Sequence, residues 1–547
     1  MTVEEFFPQT SQRKVIDIGN GLIMRWSTKK DTENISLLVE DAFRWLPAGD
    51  PFPQDKVPGP NEFMRAAVRR LLSGKSSVAS EFDFALVEDT RREEGKNPIV
   101  SCVSLQRHEA YYGSTVLTFG MLELIATDTE YRNKGLVRRL LLGMVHPESE
   151  ARGDVLQFIP GIPNFYRQFG YEYGFYCYPA ARIENADIIS PLGKDKSEPY
   201  ILRQAKLDDI DYLVQMSKTE MLHNNTTIAN IYTRRYWQYT VHDAIEDKQH
   251  RFDADRETNV ITEAESGKPI GFTVASYNIF GPQLEALSLD ERMASHMEVK
   301  DSVLRQLFDQ ARIRQDLKAK AYEAAQEEKR KTEAEPEKTA EVGDGQIKKI
   351  DNDGDAKAAP IPSQTKPGPL SYGINLPGCH PLCTLLGSMA KRSPIGYGLY
   401  TRIHSYPNFI KAVTPELEKR LADSALAGVT GRLRLNFYRK VEGSSGKGLE
   451  IVFEKGKIVD AKEWDSPSPE KALEERMAWK MKDNAPVLCS AGFAPLTFTN
   501  LLTGKDSLDD LVRAYGECGV RNDATTLLLN TLFPKSQYQH HFDIFIW

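Results

Sequence analysis

Apolar positions in the first third of the chain switch repeatedly between a period of two and a period near 3.6. Leu22–Trp26 reads as a strand, and Asn34–Trp45 carries Ile35, Leu38, Val39, Ala42 and Phe43 on one helical face. A loop rich in Pro and Asp spans 47–60, and the pattern then predicts a helix over Glu62–Leu72. Strand-like runs follow at Asp83–Val87, Pro98–Gln106 and Thr115–Ala126. A helix is expected from Arg132 to Val145, ending at His146-Pro147 because proline cannot continue it. Val155–Ile159, bounded by Pro160-Gly161, reads as a short buried strand. This alternation implies a mixed α/β or α+β layer architecture.

The pattern restarts at Tyr200, where a strand, a short polar turn and a helix repeat the opening of the first unit. Asn259–Thr262 and Ile270–Ser276, joined by Ser266-Gly267-Lys268, predict a hairpin. From 311 to 370 the only aromatic is Tyr322. Lys318–Lys331 suits a solvated helix, and Thr332–Gly368 is too polar to bury a core and is expected to be disordered. Beyond Gly396, strands are expected at Tyr400–Ile403, Arg432–Tyr438 and Leu449–Phe453, with a helix at Pro415–Asp423. Leu496–Leu502 and Leu508–Tyr515 read as helices, and Phe542–Trp547 as a strand. The resulting division is 1–190, 199–395 with a charged insertion at about 313–368, and 396–547.

Bulk numbers narrow the class. With 70 Lys and Arg against 77 Asp and Glu, the net charge of −7 gives no global pull toward nucleic acid or anionic membrane. No run reaches the roughly 18 apolar residues of a membrane span. Met1–Pro8 carries Glu4 and Glu5 where a secretory signal would hold Lys or Arg. Six cysteines (102, 177, 379, 383, 489, 518) in 547 residues are too sparse for a disulfide framework. The expectation is a cytoplasmic protein with reduced thiols, no nucleic-acid partner and no membrane partner. Cys379-His380-x-x-Cys383 offers three ligand types in five residues but no matching pair elsewhere, so no metal is expected.

The stretch that carries chemistry runs from Glu123 to Leu140. An apolar strand passes through a polar turn into a helix whose first turns hold Arg132, Lys134, Gly135, Arg138 and Arg139. A helix start presents unpaired N–H groups and a partial positive charge, so it can hold a pyrophosphate. Glycine at 135 allows close approach of the backbone, and the cations add charge-assisted contacts. A basic helix start with an incidental glycine would look the same in isolation.

A second segment about thirty residues on, Phe165-Tyr166-Arg167-Gln168-Phe169-Gly170-Tyr171, follows the buried strand. Together with Arg132-Asn133-Lys134-Gly135 it resembles the coenzyme-A signature of the GNAT acetyltransferases. Where the family pattern closes its loop with a second small residue, Val137 stands here. The resemblance implies that Asn133, Lys134, Gly135, Leu136, Val137 and Arg138, with Arg132, hold the pyrophosphate. It also implies that Ile125, Ala126 and Thr127 bracket the pantetheine and thioester oxygen, an oxyanion-type arrangement. Tyr166 would protonate the departing thiolate; its bland alternative is a core tyrosine among Phe165, Phe169 and Tyr171.

The layout of a GNAT domain, a degenerate GNAT-like domain and a C-terminal domain similar to sterol carrier protein 2 resembles the enhanced intracellular survival (Eis) family. Tyr400-Thr-Arg-Ile-His-Ser-Tyr-Pro-Asn-Phe409 and Phe493-Ala-Pro-Leu-Thr-Phe-Thr-Asn-Leu-Leu502 carry that resemblance in the third unit. It implies that the terminal carboxylate, here on Trp547, takes the amine proton; Glu123, a carboxylate on the strand near the site, is the competing base. It implies homo-oligomers by analogy as well. The expected activity is direct acetyl transfer from acetyl-CoA to a primary amine of a small molecule. Two alternatives stay open: an apolar-ligand carrier with a vestigial acetyltransferase domain, and a protein lysine acetyltransferase.

Overall fold

The computed structural model describes residues 14–44, 59–177, 181–184, 189–223, 228–243, 256–278, 281–334, 370–376, 380–392, 397–438, 448–465 and 487–535. A hairpin opens the first sheet, β1 (Ile16–Gly19) and β2 (Leu22–Trp26), turning through Asn20 and Gly21 at positive φ. Next come α1 (Thr32–Ala42), α2 (Glu62–Leu71), β3 (Phe84–Asp89), β4 (Ile99–Tyr112) and β5 (Thr115–Thr127). A helix in three pieces follows: α3 (Leu136–Leu140), a π-helical turn (Leu141–Val145) and α4 (His146–Ala151). The expected stop at Pro147 is therefore corrected. Proline falls in the first turn of α4 with the wide turn directly before it, and that turn absorbs the missing N–H. β6 (Leu156–Ile159), a single 3-10 turn (Tyr166–Phe169) and β7 (Glu172–Cys177) complete this part.

The second part holds β8 (Ala181–Ile183), β9 (Tyr200–Gln204), α5 (Ile210–His223), β10 (Ile228–Asn230) and α6 (Arg234–Gln238). It continues with β11 (Arg256–Glu263), β12 (Pro269–Asn278), β13 (Gly281–Leu289), α7 (His296–Ala334), β14 (Tyr372–Ile374), α8 (Pro381–Leu386) and β15 (Lys391–Arg392). α7 extends well beyond the solvated helix expected at Lys318–Lys331. Of the stretch expected to be disordered, 332–334 are helical and 335–368 lie outside the described residues.

The third part runs through β16 (Tyr397–Arg402), α9 (Tyr406–Ala422), β17 (Gly431–Asn436), β18 (Gly448–Glu454) and β19 (Lys457–Glu463). It ends with β20 (Val487–Gly492), α10 (Phe498–Leu502), α11 (Leu508–Ala514), β21 (Gly519–Val520) and α12 (Asp523–Leu532). The strand expected at Phe542–Trp547 lies outside the described residues.

Three sheets result. The first runs β1-β2-β3-β4-β5-β6-β16-β7 with β10 paired on β4, the second β15-β8-β14-β13-β12-β11-β9, and the third β19-β18-β17-β20-β21. The first two repeat one design. In each, a run of antiparallel strands (β1–β5 in the first, β9, β11, β12 and β13 in the second) is joined in parallel by the next: β6 on β5, and β14 on β13.

They also exchange strands. β8 leaves β7 to pair with β14 and β15 in the second sheet, and β16 returns to pair with β6 and β7 in the first. Boundaries at 190 and 396 group these strands by sequence position instead, with β8 in the first unit and β16 in the third.

Both faces of the first sheet are covered. Leu136, Leu140, Leu141 and Met144 pack one face against Val103, Leu105 and Leu122. On the other, Ile35, Leu38, Met64 and Val68 cover Leu86, Cys102 and Leu124, while Phe409, Ile410 and Val413 of α9 cover Phe119, Met121 and Phe158. None of the described helices is long and apolar enough to cross a membrane.

Candidate active site

β5 and β6 pair only from Phe119 to Met121, opposite Leu156 to Phe158. Beyond Met121 the strands part, and the edge of β5 from Leu122 to Thr127 has no partner strand on that side among the described residues. Leu124 sits at φ 52°, where the β4–β5 register shifts, so Leu124 turns to the α1–α2 face and Ile125 to the α3 face. Ile125, Ala126 and Thr127 thus form the last stretch of β5 before the loop expected to hold phosphates.

That loop is pinned from β3. Asp128 accepts from the Glu130 N–H at 2.9 Å and from Arg92 at 2.6 Å, while the Tyr131 hydroxyl donates to Asp89 at 2.6 Å. Arg92 and Lys134 lie 5.0 and 4.3 Å from the Tyr131 ring centre. Asn133 and Gly135 adopt φ of 61° and 71°, and Gly135 caps α3. Arg132, Asn133, Lys134 and Gly135 are exposed. A Cβ added at Gly135 would meet nothing within 4 Å, so the surface above it is open. Leu136 is buried and Val137 packs into the α3 core, so these two offer backbone rather than side chain. The branched Val137 thereby does not stand over the loop.

The corresponding helix start of the second part is closed. Ser295 and Glu298 cap α7 reciprocally, with the Glu298 carboxylate accepting from the Ser295 N–H at 2.8 Å and the Glu298 N–H donating to Ser295 at 3.3 Å. A carboxylate already stands at this helix start.

Tyr166 opens the turn that Gly170 ends at φ 86°. It is buried, with ring centres of Phe165, Tyr400, Tyr171 and Phe169 at 4.9, 5.7, 6.2 and 6.4 Å. Arg138 joins the two motifs: its guanidinium donates to Gln168 Oε1 at 2.7 Å and lies 4.8 Å from the Phe169 ring centre. Gly161 is required by this packing, because a Cβ there would collide with the Tyr166 ring. Gly161→Ala is expected to displace that ring and to cost about 1–3 kcal/mol in denaturant unfolding. A variant as stable as the parent would show that the ring has room to yield.

Glu123, on β5 opposite Ser104, is buried, and its Oε1 has no hydrogen-bond partner among the described residues. Burial pushes its carboxyl up to about 8, partly offset by the Leu124 N–H. Trp547, the rival base, lies outside the described residues. His380 caps α8: its Nδ1 accepts from the Leu382 N–H at 3.1 Å and its Nε2 lies 2.9 Å from the Leu287 carbonyl oxygen. Tyr400, which walls in Tyr166, and Tyr173, stacked on Tyr400, were not anticipated, and neither was the Arg92–Asp128–Tyr131 clasp. The basic and aromatic residues flanking the loop were the available signal for the clasp. For Tyr400 there was none, since its partners lie more than two hundred positions away.

Residues 25–174 match the acetyltransferase (GNAT) domain family. No curated protein matches the chain. A GCN5-related N-acetyltransferase from Kribbella flavida is similar at 14% identity and a TM-score of 0.53, covering 94% of this chain and 97% of that one. A conserved protein of unknown function from Enterococcus faecalis V583, described as a probable N-acyltransferase, is 13% identical with a TM-score of 0.56, over 95% and 100% of the two chains. A GCN5-related N-acetyltransferase from Anabaena variabilis ATCC 29413 is 11% identical with a TM-score of 0.54, over 94% and 98%. At such identities the likeness is one of fold, and it extends along nearly the whole chain. The parted strands, the open glycine-capped helix start and the matched segment together make residues 25–174 a GNAT acetyltransferase domain.

Proposed function

We propose that the chain is an N-acetyltransferase moving the acetyl group of acetyl-CoA directly to a primary amine of a small molecule. One observation carries this reading: the open loop at Gly135 and the buried Tyr166 turn meet through Arg138 where β5 and β6 part. Acetyl-CoA supplies an activated acyl thioester when bound. Backbone N–H groups of residues 133–138, with Arg132, Lys134 and Arg138, would hold the diphosphate. The free edge of β5 at Ile125, Ala126 and Thr127 would hold the pantetheine and polarise the thioester oxygen. Tyr166 donates a proton to the thiolate as it leaves. Glu123 takes the proton of the amine; its raised pKa suits a base working near neutral pH. The Trp547 carboxylate is the second candidate for that role.

The same reading extends to the whole chain. The repeated sheet, with a helix start capped by its own Ser295 and Glu298 and lacking the glycine motif, supports a degenerate GNAT-like second unit. The five-stranded third sheet with α9–α12 is proposed as the unit similar to sterol carrier protein 2, giving an Eis-like layout. Cytoplasmic location and homo-oligomers belong to this proposal as well.

Calorimetry with acetyl-CoA, followed by transfer assays on polyamines, aminoglycosides, amino acids and a lysine peptide, tests it. Transfer to one of the small amines supports the reading, transfer to the peptide alone moves the substrate to protein, and absence of acetyl-CoA binding removes it. Gly135→Val should raise the acetyl-CoA Kd about tenfold, since a β-branched residue at φ 71° costs ~1–2 kcal/mol and crowds the approach. An unchanged Kd by the same calorimetry would place the phosphates elsewhere.

A further inference from the structure

Tyr400 arrives in the first sheet from beyond the second unit, with residues 178–396 lying between β7 and β16. It stands opposite Ile159, the last residue of β6, just past the point where β5 has parted from that strand. Its ring is fully buried on the α3 face, stacked on Tyr173 at 4.0 Å with planes 23° apart. Against Tyr166 it makes an edge contact at 5.7 Å and 63°. The hydroxyl is buried, with the Tyr173 side chain and the Asn164 backbone as its polar neighbours. Those polar neighbours are not Tyr166, so what Tyr400 presents to Tyr166 is its ring.

We infer that Tyr400 is a positioning residue for Tyr166, holding the phenol ring in the attitude from which it donates its proton. The inference rests on the acid role proposed for Tyr166. Tyr166 is fenced on one side by Phe165, from its own loop, and by Phe169 and Tyr171 from the turn that it opens. Tyr400 is the wall contributed by a different strand, and Tyr173 braces it from behind. An aromatic edge contact fixes ring orientation more than it adds stability, being worth about 0.5–1.5 kcal/mol beyond burial. Small displacements of a proton donor slow transfer far more than they weaken coenzyme binding.

The test compares Tyr166→Phe, Tyr400→Leu, Tyr400→Phe and Tyr173→Leu in the full chain, with kcat, the acetyl-CoA KM and the alkaline limb of the kcat profile as readouts. Tyr400→Leu is expected to lower kcat at least tenfold, leave KM within about twofold and displace the alkaline limb. Tyr400→Phe keeps the wall and should recover to within about threefold of the parent. Tyr173→Leu, at a partly exposed ring, should fall in the same direction as Tyr400→Leu but by less, and it stands in if that variant fails to fold. A kcat and alkaline limb equal to the parent's in Tyr400→Leu, or in Tyr173→Leu where the former does not fold, overturns the inference. Loss of transfer in Tyr166→Phe beside intact Tyr400→Leu defeats this inference alone. Full transfer in Tyr166→Phe defeats the acid assignment instead.

Discussion

Tyr166→Phe is expected to lower kcat by about 10²-fold while leaving the acetyl-CoA KM close to the parent's. The ring is held by neighbours at 4.9 to 6.4 Å, and phenylalanine preserves all of those contacts. The hydroxyl, and with it the proton, is what is lost. A thiol of pKa about 8.5 leaves as thiolate, and a phenol near 10 can protonate it only slightly uphill when it is already in place. Water can replace that donor, which is why the loss is large but finite. The alkaline limb of the kcat profile, set by ionisation of the donor, should vanish in the variant. A variant with the parent's kcat at every pH would return Tyr166 to the role of a core residue.

Glu123→Gln should produce a comparable loss, and its pH dependence is the more informative measurement. The base must be ionised to accept a proton, so activity of the parent should climb as pH rises through about 8. Stability should run the other way. The folded carboxyl titrates at about 8 against 4.5 for the free group, so the fold favours the protonated form. Below 4.5 both states are protonated and the term is absent. Between 4.5 and 8 only the unfolded state has released its proton, and stability declines with pH by at most about 1.4 kcal/mol per unit. Above 8 the full destabilisation is present. Glutamine removes this dependence, so the variant should equal the parent at low pH and exceed it in denaturant midpoint at pH 9. Parallel stability profiles would mean that Glu123 is solvated and unsuited to the role.

The parts of the site that were legible in the sequence are those made by consecutive residues. A strand, a polar turn and a basic, glycine-started helix lie within Glu123–Leu140, and the Tyr166 segment is equally local; each is a short-range pattern with a direct backbone consequence. Long-range pairing was not legible. Nothing in Tyr397–Arg402 distinguishes a strand of the third unit from one that joins β6 and β7, because alternation reports a face and not a partner. α9 shows a different failure. Its expected start at Pro415 treats proline as a first-turn residue, whereas the helix begins at Tyr406 after the Ser405 cap. Pro415 forgoes a backbone bond at a cost of about 3 kcal/mol. Burial of Tyr406, Phe409, Ile410, Val413 and Leu417, at roughly 1.5–3 kcal/mol each, outweighs it.

Strand exchange between the first two sheets constrains biogenesis. As the nascent polypeptide emerges, β6 and β7 are synthesised early, yet the segment that bridges them leaves the ribosome only with residue 402. At 5–20 residues per second, β6 waits roughly 10–50 s with an unsatisfied hydrogen-bonding edge. The N-terminal acetyltransferase unit cannot mature as an independent module during translation, and chaperone engagement should concentrate in that interval.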